Sequence, residues 1–83
     1  MKEWVSVRER MPEFRYNECG VLCTDRVLAL YCAGDKTVHL GYCIKETVVH
    51  EDYNAVIDRW YNQRGERVED VTHWLALAPF PRE

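Results

Sequence analysis

The side chains best suited to chemistry in this chain are thiols and imidazoles. Thiolates and imidazoles are the usual ligands of structural zinc, most often presented in pairs at Cys-x(2–4)-Cys spacing. Cys19 and Cys23 fit that spacing, but a second pair is missing, because Cys32 and Cys43 stand 11 positions apart. The cysteines and histidines are Cys19, Cys23, Cys32, Cys43, His39, His50 and His73.

A zinc site is therefore the minority interpretation of these residues. It requires Cys32 and Cys43 to face each other across a hairpin, with His39 and His50 completing the ligand set. The spacing favours the alternative, in which the cysteines are small buried thiols and no metal or other cofactor is bound.

Nucleophilic catalysis would need a thiolate or alkoxide, a base and an orienting group, and no flanking motif here supplies them. We therefore expect no enzymatic activity. His73, next to Trp74, is expected to serve structure by hydrogen-bonding through a ring nitrogen and packing its face on a neighbour. Trp4, Trp60 and Trp74 are likewise expected in the core, because large aromatic side chains dominate small cores.

Length and composition indicate one small soluble domain over residues 1–83. The chain is 47 % hydrophobic and has ten aromatic residues, three Trp, five Tyr and two Phe, which predict an aromatic core. A net charge of −3 without a basic stripe excludes a general nucleic-acid binder. Because no segment has the roughly 20 apolar residues of a membrane span and the N-terminus lacks a signal-peptide pattern, we expect a cytoplasmic protein with free thiols.

The apolar patterning predicts a mainly β fold, or a small α+β one, with little helix. It is expected to be a compact antiparallel meander of about four strands, with the N-terminal segment packed beside the C-terminal strand. Gly41 lies inside one predicted strand, which indicates a bulge or a close backbone approach. The predicted N-terminal strand covers residues 4–7, a hairpin joins 25–32 to 37–44, a third strand is centred on 59–61, and the last covers 71–77.

The segment between residues 45 and 58 is ambiguous. Residues 47–49 could extend the second hairpin strand, whereas 51–57 could form a short helix. The segment is acidic, and it is the predicted place of contact with a partner, together with the Pro-Phe-Pro tail. The expected partner-binding residues are Glu46, Glu51, Asp52, Tyr53 and Phe80.

Two blocks at the chain ends carry a resemblance to a known family. The first is residues 4–7 followed by Met11-Pro12, and the second is Val71-Thr72-His73-Trp74 with a proline-containing tail. Between them, Leu40-Gly41-Tyr42 and Trp60-Tyr61 before Gly65 also fit. The chain resembles the domain of unknown function 551 family (DUF551), found mostly in bacteriophages, prophages and enterobacteria. That resemblance implies a compact phage-associated module with no established catalysis.

The expected function is thus a small non-catalytic module that binds a macromolecule. A phage or prophage accessory protein that occludes a host or phage protein fits, including an inhibitor of host defence, and self-association is the other partner considered. Two alternatives stay open: a small zinc-binding module that uses Cys and His, and a small-ligand or nucleotide binder.

Overall fold

The computed structural model describes residues 3–77, which form one antiparallel β-sheet. The mainly β prediction is confirmed, and no helix occurs within these residues. The predicted number of strands is wrong, because the sheet has eight strands and not about four. The strands are β1 (Val5–Ser6), β2 (Arg15–Tyr16), β3 (Leu22–Cys23), β4 (Leu28–Cys32), β5 (Thr37–Val49), β6 (Asn54–Asn62), β7 (Arg67–Val68) and β8 (Val71–Ala76).

The strand order corrects the predicted meander. Strands β4, β5 and β6 are sequential neighbours, as a meander requires, but β8 returns to pair with β4. The long strands thus lie in the order β8-β4-β5-β6, which is the order of a Greek key. The predicted packing of the two chain ends is confirmed, because Val5 in β1 lies opposite Trp74 in β8.

The β4–β5 hairpin forms where the sequence predicts it. Leu28 lies opposite Gly41 and Cys32 lies opposite Thr37, with residues 33–36 as the turn. At Gly41 the backbone of β6 comes so close to β5 that a Cβ would overlap the backbone carbonyl of Tyr61. The predicted close backbone approach is therefore confirmed, and only glycine fits the position.

The ambiguous segment is a continuation of the sheet. Residues 45–49 extend β5 and residues 54–58 begin β6, so the helical alternative is wrong. The turn between them is closed by the amide of His50, which donates to the carbonyl of Tyr53 at 2.7 Å. We call residues 45–58 the arm.

The core lies on one face of the sheet, which we call the inner face. Leu28, Leu30 and Trp74 are its buried centre. The segment before β2 covers this face, because the indole N–H of Trp74 donates to the carbonyl of Arg10 at 2.8 Å and Pro12 is buried. The guanidinium of Arg10 also lies over the Trp74 ring, 5.9 Å from its centroid.

The core contains fewer aromatic side chains than the sequence predicts. Among the described residues Trp74 is the one aromatic side chain that is buried, and Trp60 packs half-buried against the core. Trp4, expected in the core, is 41 % exposed. The reason is strand alternation: successive side chains point to opposite faces, and Tyr31, Tyr42 and Tyr61 fall on the face away from the core.

Candidate functional site

An aromatic group lies on the face of the sheet opposite the core. Tyr31 of β4 lies between Val38 of β5 and His73 of β8 in the ladder, so all three side chains share a face. The Trp4 ring packs edge-on against the Tyr31 ring, with 6.3 Å between the ring centroids. The His73 ring also packs edge-on against Tyr31, with 6.2 Å between the centroids. Trp4, Tyr31 and His73 together line a shallow cleft of about 270 Å³.

Aliphatic side chains continue this group along the same strands. Ala29 lies opposite Leu40 of β5 on one side and Leu75 of β8 on the other. We call the whole set the outer face. Its members are Trp4, Ala29, Tyr31, Val38, Leu40, His73 and Leu75.

The outer face is partly open to solvent: Ala29 is buried and Tyr31 and Leu75 are half-buried, whereas Val38 and Leu40 are exposed. Val38 is 57 % exposed and Leu40 is 47 % exposed. His73, predicted to be structural, is half-buried there, and its Nδ1 lies 2.9 Å from the hydroxyl of Thr72. Neighbouring exposed apolar side chains of this kind make the outer face a candidate contact surface for another molecule.

Glu46, the first of the predicted partner-binding residues, is engaged within the sheet. Its carboxylate accepts a hydrogen bond from the Tyr61 hydroxyl and lies 3.9 Å from the Arg59 guanidinium. The same hydrogen bond, followed by desolvation, raises the pKa of Tyr61. Glu46 therefore stabilises the base of the arm and is not a free acidic contact.

The other predicted contact residues lie at the tip of the arm. Glu51 and Asp52 are exposed, and Tyr53, which is 60 % exposed, stacks on the His50 ring at 4.5 Å. Val49 and Val56 are exposed by 75 % and 65 % on the arm. Phe80, the remaining residue of that prediction, lies outside the described residues.

A second feature is a trio of potential metal ligands at the β4–β5 turn, which we call the turn cluster. One ligand atom each from Cys32, Asp35 and His39 lies within 4.8 Å of the other two. The Thr37 hydroxyl joins two of them, since its oxygen lies 2.5 Å from Asp35 Oδ1 and 3.0 Å from His39 Nε2. The hydrogen bond from Thr37 lowers the pKa of Asp35.

The turn cluster differs from the zinc set considered from sequence. Cys32 lies opposite Thr37, so Cys43 is six positions further along β5, which is about 20 Å in a strand. The expected meeting of Cys32 and Cys43 is therefore wrong. Cys19 is exposed in the turn between β2 and β3 and His50 lies on the arm, so neither joins the trio.

Sequence reasoning missed Asp35, which it assigned to the turn alone. The signal was present as Cys-x2-Asp-x3-His across a tight hairpin turn. In a hairpin of this register, side chains at positions 32, 37 and 39 share a face, and the turn residue between them can reach the same space.

Two of the buried thiols, those of Cys32 and Cys43, are poor nucleophiles. Desolvation, followed by the nearby charge of Asp58, raises the pKa of Cys43 to about 12. Desolvation, followed by Asp35 and Asp70, also raises the pKa of Cys32. Because the thiolate is the reactive form, neither thiol is activated for covalent catalysis near neutral pH.

The fold and its sites define a class: a small antiparallel β protein with an apolar outer face, a projecting arm and a Cys-Asp-His turn cluster. A family model described as "Protein of unknown function (DUF551)" matches residues 3–81. The chain belongs to this family, as the sequence resemblance predicts.

The remaining comparisons add no relatives, because no curated protein and no solved structure gives a significant match. Within residues 3–77, no helix has the length and apolar character to cross a bilayer.

Proposed function

We propose that this protein is a non-catalytic module that binds another protein through its outer face. The observation that carries the proposal is the apolar surface on three neighbouring strands, where Val38 and Leu40 are exposed and Tyr31 lies half-buried beside them. The partner is a host or phage protein with an apolar surface, and the phage association of the resemblance gives the setting.

The chemistry of the outer face supports a protein partner over a charged one. Aromatic and aliphatic side chains that pack together on a rigid sheet lose little conformational entropy when a partner covers them. Tyr and Trp are also the residues that most often anchor protein interfaces. A nucleic acid would require clustered Lys and Arg, which the outer face lacks among its defining residues.

The mechanism in this proposal is steric occlusion. The outer face anchors the partner, and the body of the sheet blocks access to the partner surface next to the contact. Blocking a surface needs no reactive group, in keeping with the raised pKa values of the buried thiols Cys32 and Cys43. An accessory protein that inhibits a host process, including host defence, would act in this way.

Two valines provide a matched test. Val38 on the outer face and Val56 on the arm are both exposed strand residues, at 57 % and 65 %. Val38→Asp places a charge in the centre of the proposed contact, and Val56→Asp makes the same change away from it. Both variants should remain folded, since substitutions at such exposed positions have small effects on stability.

The measurement is capture of proteins from infected and uninfected bacterial lysate on the immobilised full chain. It is followed by titration of each retained protein and by sedimentation of the free chain. We expect a stoichiometric partner that Val56→Asp retains and Val38→Asp loses, with affinity lower by about 30-fold or more, the effect of removing one hot spot.

Three outcomes would overturn the proposal. Equal retention by both variants would show that the outer face is not the contact. Loss with Val56→Asp alone would move the contact to the arm. A second copy of the chain as the sole stoichiometric partner would replace occlusion of another protein with self-association.

A further inference from the structure

We propose that Cys32, Asp35 and His39 form a zinc-binding site with three protein ligands. The proposal is independent of the proposed function, because the turn cluster lies on the inner side of the hairpin and the outer face does not contribute to it. It assigns a ligand class to residues that protein binding leaves without a role.

The donor set selects the metal. A thiolate, a carboxylate and an imidazole are together typical ligands of Zn²⁺, whereas Mg²⁺ and Ca²⁺ prefer oxygen ligands throughout. Tetrahedral zinc with bond lengths of about 2.0–2.3 Å places its ligand atoms about 3.3–3.8 Å apart. The three ligand atoms here lie within 4.8 Å of one another, which exceeds that spacing by no more than about 1.5 Å.

The register of the β4–β5 hairpin brings the ligands together. The ladder pairs Cys32 with Thr37 and Leu30 with His39, so Cys32 and His39 share a face. The pairing of β4 with β8 is irregular between Tyr31 and Cys32. Such bulges re-aim side chains and are frequent next to functional sites.

The loop before β8 supports the same turn. The amide of Ala33 donates to the carbonyl of Asp70 at 3.0 Å, and Asp70 adopts a left-handed φ of 63°. A Cβ at Gly34 would lie 2.6 Å from Oδ2 of Asp70, so this carboxylate is packed directly against the turn. A second carboxylate next to the cluster adds negative potential that favours a cation.

The cluster opens onto a polar cavity. Cys32 is 2 % exposed, and with Asp35 and His39 it lines a cavity of about 350 Å³. Glu66, Glu69 and Arg67 also line this cavity, so its charged lining is mainly acidic. A buried thiol that faces such a cavity, with an imidazole and a carboxylate beside it, differs from an ordinary core cysteine. Three protein ligands leave one coordination position, which water or an external donor would fill.

Thr37 is a positioning residue in this site. Its hydroxyl contacts both Asp35 and His39, so it holds two of the three ligands in place. Groups that orient metal ligands in this way typically change affinity by about 10–100-fold when removed.

The test is titration of the chelator-treated full chain with Co²⁺, then displacement by Zn²⁺. We expect one Co²⁺ per chain, a thiolate-to-cobalt charge-transfer band, d–d bands of tetrahedral intensity and a rise in Tm with Zn²⁺. Cys32→Ser and His39→Gln should weaken binding by more than the roughly 100-fold upper range for an orienting group. Cys19→Ser, which changes an exposed cysteine outside the cluster, should bind like the parent.

His39→Gln keeps the test valid even where Cys32→Ser fails to fold, because His39 is only half-buried. A folded parent chain that shows no thiolate–cobalt band would overturn the proposal. So would a band that persists in both cluster variants, or one that disappears in Cys19→Ser, since each would place the metal elsewhere.

Discussion

The fully buried thiol of Cys43 makes a quantitative prediction about stability in alkali. Cys43 is 0 % exposed on the inner face, and burial raises its pKa from 9.0 to about 12. Between these values the folded chain keeps a proton that the unfolded chain releases. The contribution to stability is therefore complete below pH 9.0 and is lost progressively as the pH rises toward the folded pKa.

The size of the effect follows from the two pKa values. At about pH 10 the unfolded thiol is mostly ionised and the folded one is not, which lowers the free energy of unfolding by about 1.4 kcal/mol relative to neutral pH. This is a large part of the stability of a small domain, which is commonly about 5–15 kcal/mol. Tyr61, whose pKa is also raised by its bond to Glu46, adds to the loss at still higher pH.

Urea unfolding of the parent and of Cys43→Ala at about pH 7.5 and about pH 10 measures this contribution. The variant loses packing at both pH values, so only the difference between the two pH values is compared. We expect the parent to lose about 1.4 kcal/mol more than the variant. Cys19→Ala, which changes an exposed thiol, should match the parent. Equal losses in the parent and in Cys43→Ala would refute a buried, desolvated thiol at this position.

Two further results are expected. Gly41→Ala should destabilise the fold by about 3 kcal/mol or more, because the new methyl group meets the Tyr61 backbone carbonyl. Gly65→Ala should lower the free energy of unfolding by only about 1–2 kcal/mol, because the φ of Gly65 is 82° and the space around it is open. Thermal or urea unfolding of both variants measures which substitution is more destabilising. A larger loss for Gly65→Ala than for Gly41→Ala would contradict the close contact between β5 and β6. A small thiol reagent should modify one thiol quickly in the native chain, that of Cys19, and all four after denaturation. Fast reaction of more than one native thiol would contradict the burial of the others.

Local sequence signals predict the parts of the fold that local contacts determine. The β4–β5 hairpin has an apolar run, a short turn with Gly and a β-branched partner strand, and each feature favours the same structure. The short strands β2, β3 and β7 have two residues each and show no periodic pattern. They exist because a neighbouring strand pairs with them, so only the assembled sheet reveals them.

The order of the long strands is also a non-local property. The sequence of residues 71–76 does not predict that this strand pairs with β4 and not with β6. The apolar pattern of a strand indicates which of its side chains face the core, but not which strand lies next to it. The dependence on non-local pairing also explains why the ligand set predicted for zinc was incomplete. Cys32 and His39 were identified as candidate ligands, but the partner that joins them, Asp35, depends on the exact register of the hairpin.

The two faces of the sheet explain why an aromatic-rich sequence does not require an aromatic core. In β4 the residues Leu28, Ala29, Leu30 and Tyr31 are all apolar. The apolar pattern therefore does not predict whether the even-numbered or the odd-numbered side chains face the core. The inner face is covered by the segment around Arg10 and Pro12. Within residues 3–77, no strand or helix packs over the outer face.

A stable domain normally covers each apolar face of a sheet with a second layer. Here the described chain supplies that layer for one face only, and Val38 and Leu40 remain about half exposed on the other. Replacing them with polar residues would remove this apolar surface with little effect on a core they do not join. These two side chains are therefore the positions at which the proposed contact with a partner and the stability of the fold can be separated by substitution.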